Sequence, residues 1–213
     1  MKPTPDYSVY LVTDRPCCLG RDVLDVVRQA VAGGAGVVQL REKSCDTRTF
    51  VELARAIKSV CSKAGALFVI NDRLDVALAV DADGVHVGQD DMPVSVVREW
   101  IGPSKIVGLS VNTIEQAIEA TGLGVDYLGV GPVFPTVTKA DAKTPLGPEG
   151  LADMRTRVDL PLVGIGGITV ANAAEVIRAG AVGVAVVSAI CSASSPAQAS
   201  AQLRDAVDLG PPN

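Results

Sequence analysis

Two groups of residues in this chain could do chemistry on an anion. One is the run Gln39-Leu40-Arg41-Glu42-Lys43; the other is Asn71-Asp72 together with Asp90-Asp91. If the first run ends a strand, its side chains alternate, so Gln39, Arg41 and Lys43 share one side. A guanidinium fork beside an ammonium suits a highly anionic group. On a helix surface the same run would read as a solvated charge stretch. Carboxylates from neighbouring loops, Asp72 and Asp91, can hold Mg²⁺, which takes oxygen ligands and commonly bridges substrate phosphates. Taken singly, Asp72 could instead cap a following helix, and Asp90-Asp91 could form a turn before Pro93. Cations and carboxylates together point to a diphosphate–Mg²⁺ site.

A second phosphate is suggested further along. Gly164-Ile165-Gly166-Gly167-Ile168 and Val187-Ser188 each follow an apolar run. Glycine lets an anion approach exposed backbone N–H groups because it has no Cβ. Tight helix–strand packing is the alternative use of such glycines. Between them lies Phe134-Pro135-Thr136-Val137-Thr138-Lys139, with two hydroxyls and a cation.

These residues need a scaffold that brings them to one place. Eight short apolar runs, at 9–12, 37–40, 67–70, 85–87, 106–109, 127–130, 162–165 and 184–187, each lead into polar or glycine-rich residues. Helical spacing fills the gaps at 22–32, 46–64, 73–80, 93–101, 113–121, 150–158, 169–179 and 196–207. Pro93 is expected as a first helical residue, and Thr113 with Gln116 has capping-box spacing. Strand then helix, repeated eight times, predicts a parallel eight-stranded TIM (β/α)8 barrel, in which all strand exits meet at the open C-terminal mouth. An open doubly wound sheet is the competing architecture. The stretch 131–147 is long for a loop and reads as a lid or substrate loop.

Bulk properties fit one barrel domain over 1–213, with an irregular lead at 1–6 and a tail at 208–213. The net charge of −5 argues against nucleic acid as a partner. The five cysteines, at 17, 18, 45, 61 and 191, are odd in number and lack metal-ligand spacing, as expected of reduced thiols. The single histidine, His86, cannot build a multi-histidine metal site and reads as a barrel-interior residue. There is no signal-peptide pattern and no run of the ~18 apolar residues that suggest a membrane span. A soluble, cytoplasmic protein is expected, with no membrane partner. Scattered surface apolars single out no interface for a homo-oligomer.

The runs at 39–43, 70–73, 83–91, 129–139, 164–168 and 187–190 together resemble thiamine phosphate synthase, in that family's order and across 7–190. The resemblance implies an Mg²⁺-assisted transferase. It would join an aminopyrimidine diphosphate to a thiazole phosphate, giving thiamine phosphate and diphosphate. It implies that Gln39, Leu40, Arg41, Glu42, Lys43, Asn71, Ser110 and Lys139 contact the pyrimidine diphosphate. Arg41, Lys43, Ser110 and Lys139 would be the catalytic members of that set. Thr136, Val137, Thr138, Gly167, Val187 and Ser188 would hold the thiazole phosphate, and Asp72 and Asp91 the metal. Three rivals share the barrel: a thiazole tautomerase, a sugar-phosphate isomerase with an acid/base pair, and a non-catalytic thiamine-ligand-binding homologue. None of these needs paired diphosphate cations beside metal carboxylates.

Overall fold

The computed structural model describes residues 2, 4–136 and 144–210. Its strands are β1 (Val9–Val12), β2 (Val37–Leu40), β3 (Leu67–Asn71), β4 (Gly84–Val87), β5 (Ile106–Val111), β6 (Tyr127–Val130), β7 (Leu162–Ile165) and β8 (Gly183–Val186). The helices are α1 (Val23–Ala32), α2 (Thr47–Ala64), α3 (Leu74–Ala79), α4 (Val94–Ile101), α5 (Ile114–Ala120), α6 (Gly147–Arg157), α7 (Ala173–Arg178), the short α8 (Ser188–Cys191) and α9 (Pro196–Asp208). All strands are parallel and run round the sheet in chain order. β1 pairs with β2 on one side and β8 on the other, so the sheet closes and the open-sheet alternative falls.

The strands are apolar along their length because they serve two cores. Leu11, Val38, Leu40 and Ile70 face outward into a shell shared with the helices. Tyr10, Val37, Val69, Ile106, Tyr127 and Val163 point inward and fill the barrel. The inner filling includes polar residues: Gln39 is 4 % exposed and His86 7 %. His86, Gly108 and Tyr127 lie side by side in register on β4, β5 and β6. Gly108 makes that row possible, since a Cβ there would sit 2.2 Å from Tyr127 Cζ and 2.4 Å from His86 Nδ1. Gly108→Ala is expected to cost about 1–3 kcal/mol through overpacking. A denaturant midpoint equal to that of the parent chain would refute this.

Several boundaries move from their expected places for local reasons. β5 runs on to Val111, so Ser110 sits in the sheet beside Gly129 and its direction is set by the pleat. Pro93 keeps an extended ψ of 137° and flanks α4 instead of opening it. α7 starts late because Asn172 Oδ1 accepts from Thr169 N–H at 2.8 Å, holding a turn before the helix. Thr113 caps α5 through Gln116 N–H, but the Gln116 side chain returns to Asn112 N–H instead of the cap's own N–H.

The segment after β6 is pinned at both ends. Val133 and Phe134 N–H donate to Ile165 and Gly166 carbonyls, at 2.8 and 3.0 Å. Leu146 and Gly147 N–H return to Pro132 and Val133 carbonyls, at 2.9 and 3.1 Å. The seam between β1 and β8 is tied at each rim. At the mouth, the Arg21 guanidinium donates to carbonyls of Cys18, Cys191 and Ala193. At the opposite rim, Arg204 of α9 meets Asp6 at 2.6 Å. All five cysteines are free thiols. Among the described residues, no helix is long and apolar enough to cross a membrane.

Candidate active site

The C-terminal mouth opens into a cavity of roughly 750 Å³. Its lining includes Arg41 and Lys43 beyond β2, Asn71 and Asp72 at β3, and Asp90 and Asp91 beyond β4. Ser110 of β5, Thr136, Gly166, Gly167, Val187 and Ser188 complete the ring. A second concavity, about 580 Å³, lies outside the barrel between α1 and α2. Its lining is mainly aliphatic, with Arg28 and Lys63 but no carboxylate, so cations and carboxylates meet at the mouth and not there.

Strand alternation places the first run as the pleat dictates, and its members part company. Arg41 and Lys43 reach the cavity. Gln39 points into the barrel below it and donates from Nε2 to Tyr10 Oη at 2.8 Å. The Leu40 side chain is fully buried in the outer shell, on the helix side. Glu42 pairs with Arg15 at 2.7 Å and is not part of the cavity wall. Neither the Leu40 nor the Glu42 side chain therefore lines the mouth, and a ligand there could meet these two residues only through their backbone. Val137, Thr138 and Lys139 lie outside the described residues.

Both cations at the mouth are already partnered. Arg41 binds Asp14 Oδ2 at 2.7 Å, and Lys43 binds Asp72 Oδ2 at 2.7 Å. Asp72 sits at φ 60°, in the left-handed region, with its N–H on the His86 carbonyl at 2.8 Å. Non-glycine residues rarely adopt this conformation, and Asp is among those that tolerate it best. Asp72 does not cap α3, whose N-cap, Arg73, makes no side-chain cap bond. Asp91 Oδ2 accepts from Gly88 N–H at 2.7 Å, which fixes its own turn.

The two aspartates face each other across the β3 and β4 exits. Burial and then the Asp72 carboxylate push the Asp91 carboxyl above its ordinary value. For Asp72, burial pulls the same way, but the Lys43 ammonium and the shared hydrogen with Asp91 outweigh it and hold Asp72 low. Such a pair is stable with a proton or a cation between its oxygens. Hard oxygen donors in that arrangement fit Mg²⁺, which keeps waters and phosphate oxygens as its other ligands. Among the described residues, no group of three His, Cys, Asp or Glu side chains gathers to hold a metal without such help.

On the far side, Gly166 and Gly167 have φ of 97° and 65°. A Cβ on Gly166 would meet Pro132 Cβ at 2.6 Å, and one on Gly167 would meet the Pro135 carbonyl oxygen at 2.5 Å. The glycines are therefore needed for packing against the 132–135 segment, whatever binds beside them. The N–H groups of Gly167 and Ile168 donate to no other described residue and remain available to an anion. Gln89, Asn112, Gln116 and Thr169 also line the cavity and were not among the sequence candidates. The spacing of Gln116 marks a helix cap, and a helix-end polar residue that also lines a cavity carries no separate signal in the sequence.

A closed parallel barrel with two cations, a carboxylate pair and a glycine turn gathered at its C-terminal mouth defines a TIM-barrel protein whose polar groups meet where such barrels carry their sites. The family model described as thiamine monophosphate synthase matches residues 9–190. The thiamine-phosphate synthase of Solidesulfovibrio magneticus is 58% identical over 210 residues, covering 99% of this chain and 100% of that one. The thiamine-phosphate synthase of Laribacter hongkongensis is 54% identical over 204 residues, 95% of this chain and 96% of its own length. The solved thiamine phosphate pyrophosphorylase from Pyrococcus furiosus superposes with a TM-score of 0.89 at 42% identity, covering 97% of this chain and 98% of that one. The chain belongs to the thiamine monophosphate synthase family.

Proposed function

We propose that this chain acts as a thiamine-phosphate synthase, a transferase that moves a pyrimidinylmethyl group from its diphosphate to a thiazole phosphate. The bond from the methylene carbon to the diphosphate oxygen breaks, and its electron pair leaves with the diphosphate. The thiazole nitrogen supplies the pair for the new carbon–nitrogen bond, so no strong general base is required. The amino group of the pyrimidine ring supports the electron-poor carbon. The observation that carries this reading is the meeting of Arg41, Lys43, Asp72 and Asp91 on one side of a cavity that has Gly167, Val187 and Ser188 on the other.

Arg41 and Lys43 neutralise the departing diphosphate, a form of electrostatic preorganisation that is often the largest catalytic contribution. Asn71 and Ser110 orient the pyrimidine half, and Lys139 belongs to the same set. Asp72 and Asp91 would hold Mg²⁺, which when bound adds positive charge beside the diphosphate. Thr136, Val137, Thr138, Gly167, Val187 and Ser188 hold the thiazole phosphate. A single barrel domain over the whole chain and a cytoplasmic location belong to the same reading. A tautomerase or a ligand sensor on this barrel would have no use for the gathered cations and carboxylates.

Purified protein given the pyrimidine diphosphate, the thiazole phosphate and Mg²⁺ is expected to release diphosphate and form thiamine phosphate, and to stop when the metal is chelated. Rearrangement of the thiazole phosphate alone, with no diphosphate released, would establish the tautomerase instead. Binding of both ligands without turnover would establish the sensor.

A further inference from the structure

The polar residues inside the barrel form a line that ends at the mouth. Gln39 Nε2 donates to Tyr10 Oη at 2.8 Å, and Tyr10 Oη lies 2.6 Å from Tyr127 Oη. Tyr127 Oη lies 2.8 Å from His86 Nδ1, and His86 Nε2 lies 2.8 Å from Ser110 Oγ. The line passes from β2 to β1, across to β6, then through β4 to β5. Of its members only Ser110 belongs to the cavity wall. Gly108 and Gly129 hold open the slot it occupies: a Cβ on Gly129 would lie 3.0 Å from His86 Cε1.

With the Gln39 amide nitrogen toward Tyr10, the protons on this line follow one direction. Burial raises both phenols well above their ordinary range, and the Tyr10 contact raises Tyr127 further, so each keeps its single proton. Tyr10 Oη accepts from Gln39, so its own proton goes on to Tyr127. Tyr127 then donates to His86 Nδ1. An imidazole that accepts at Nδ1 carries its proton on Nε2, which donates to Ser110 Oγ. Ser110 keeps its own proton for something in the cavity. Run backwards from Ser110, the line would need the Gln39 amide turned over, with its oxygen accepting the Tyr10 proton.

We propose that Gln39, Tyr10, Tyr127 and His86 form a polarised hydrogen-bond line that holds Ser110 as a donor toward an acceptor atom of the bound pyrimidine diphosphate. Tyr10, Tyr127 and His86 are then positioning residues, acting through Ser110. The nature of the ligand rests on the synthase reading; the direction of the line does not.

His86 is the single histidine of the chain, so ¹⁵N-histidine labelling yields one pair of ring nitrogens. At neutral pH the ligand-free protein is expected to show Nε2 protonated and Nδ1 bare. A ring protonated at Nδ1, or at both nitrogens, overturns the proposal. This measurement needs no variant, so a variant that misfolds leaves the test intact. Tyr127→Phe is expected to lower kcat/KM for the pyrimidine diphosphate by about tenfold, the scale of one hydrogen bond. Its KM for the thiazole phosphate should move less than about twofold, since that ligand does not depend on the line. His86→Gln keeps an N–H for Ser110 and is expected to retain several-fold more activity than His86→Leu. Unchanged kinetics in Tyr127→Phe, or equal losses in the two His86 variants, also overturn it. Failure of the synthase reading shows differently, as a parent protein that releases no diphosphate.

Discussion

Asp72→Asn is expected to lower turnover on the order of 10²–10³-fold, the scale on which single preorganised charge stabilisers act. The asparagine variant is more informative than alanine because Asp72 occupies the left-handed region at φ 60°. Asparagine tolerates that conformation, whereas alanine adds backbone strain of about 1–2 kcal/mol to the lost charge. The amide keeps the shape of the carboxylate but removes the charge that holds Lys43 and opposes Asp91. The Mg²⁺ concentration for half-maximal rate should rise alongside the loss in turnover. Thermal unfolding should barely change. If turnover and Mg²⁺ dependence both match the parent, Asp72 does not hold the metal.

The second large effect concerns Arg41. Arg41→Ala is expected to cost about 10²–10³-fold in kcat/KM for the pyrimidine diphosphate. Two changes combine there. The guanidinium fork is lost, and the Asp14 carboxylate that it held at 2.7 Å is left unpaired near the anion. Removing one partner of a desolvated pair costs more than the pair contributes, because the other charge stays behind. Adding Asp14→Asn to Arg41→Ala should therefore recover roughly tenfold, since one screened like-charge contact is worth a kcal/mol or more. Arg41→Lys keeps the charge but not the two-pronged geometry and should fall between parent and alanine. A double variant no better than Arg41→Ala would show that Asp14 does not face the ligand.

The sequence made the barrel legible because each strand is a short apolar run ended by polar residues, a pattern that survives small errors in boundary. It also brought Arg41, Lys43, Asn71, Asp72, Asp91, Ser110, Gly167 and Ser188 to one cavity. A contiguous motif says less about direction. The run from Gln39 to Lys43 travels as a block in the resemblance, yet the pleat sends Leu40 to the helices, Glu42 to Arg15 and Gln39 into the interior. The interior line was hidden for another reason. Tyr10 and Tyr127 lie 117 residues apart, and neither strand run suggests that its tyrosine has a partner. A buried tyrosine implies a recipient for its hydroxyl, but only the closed sheet shows which one. The double use of Gly166 and Gly167 was also out of reach, since the segment they pack against is fixed by hydrogen bonds to the β7 exit.

The ties that Arg21 and Arg204 make across the β1–β8 seam bear on how this molecule comes apart. A cylinder assembled from one chain has a natural weak line where its first and last staves meet, because only there does no covalent crossover help. Here both rims of that line are stitched by side chains. Opening the cylinder at this line therefore means breaking side-chain ties at both rims as well as the ladder between the two staves.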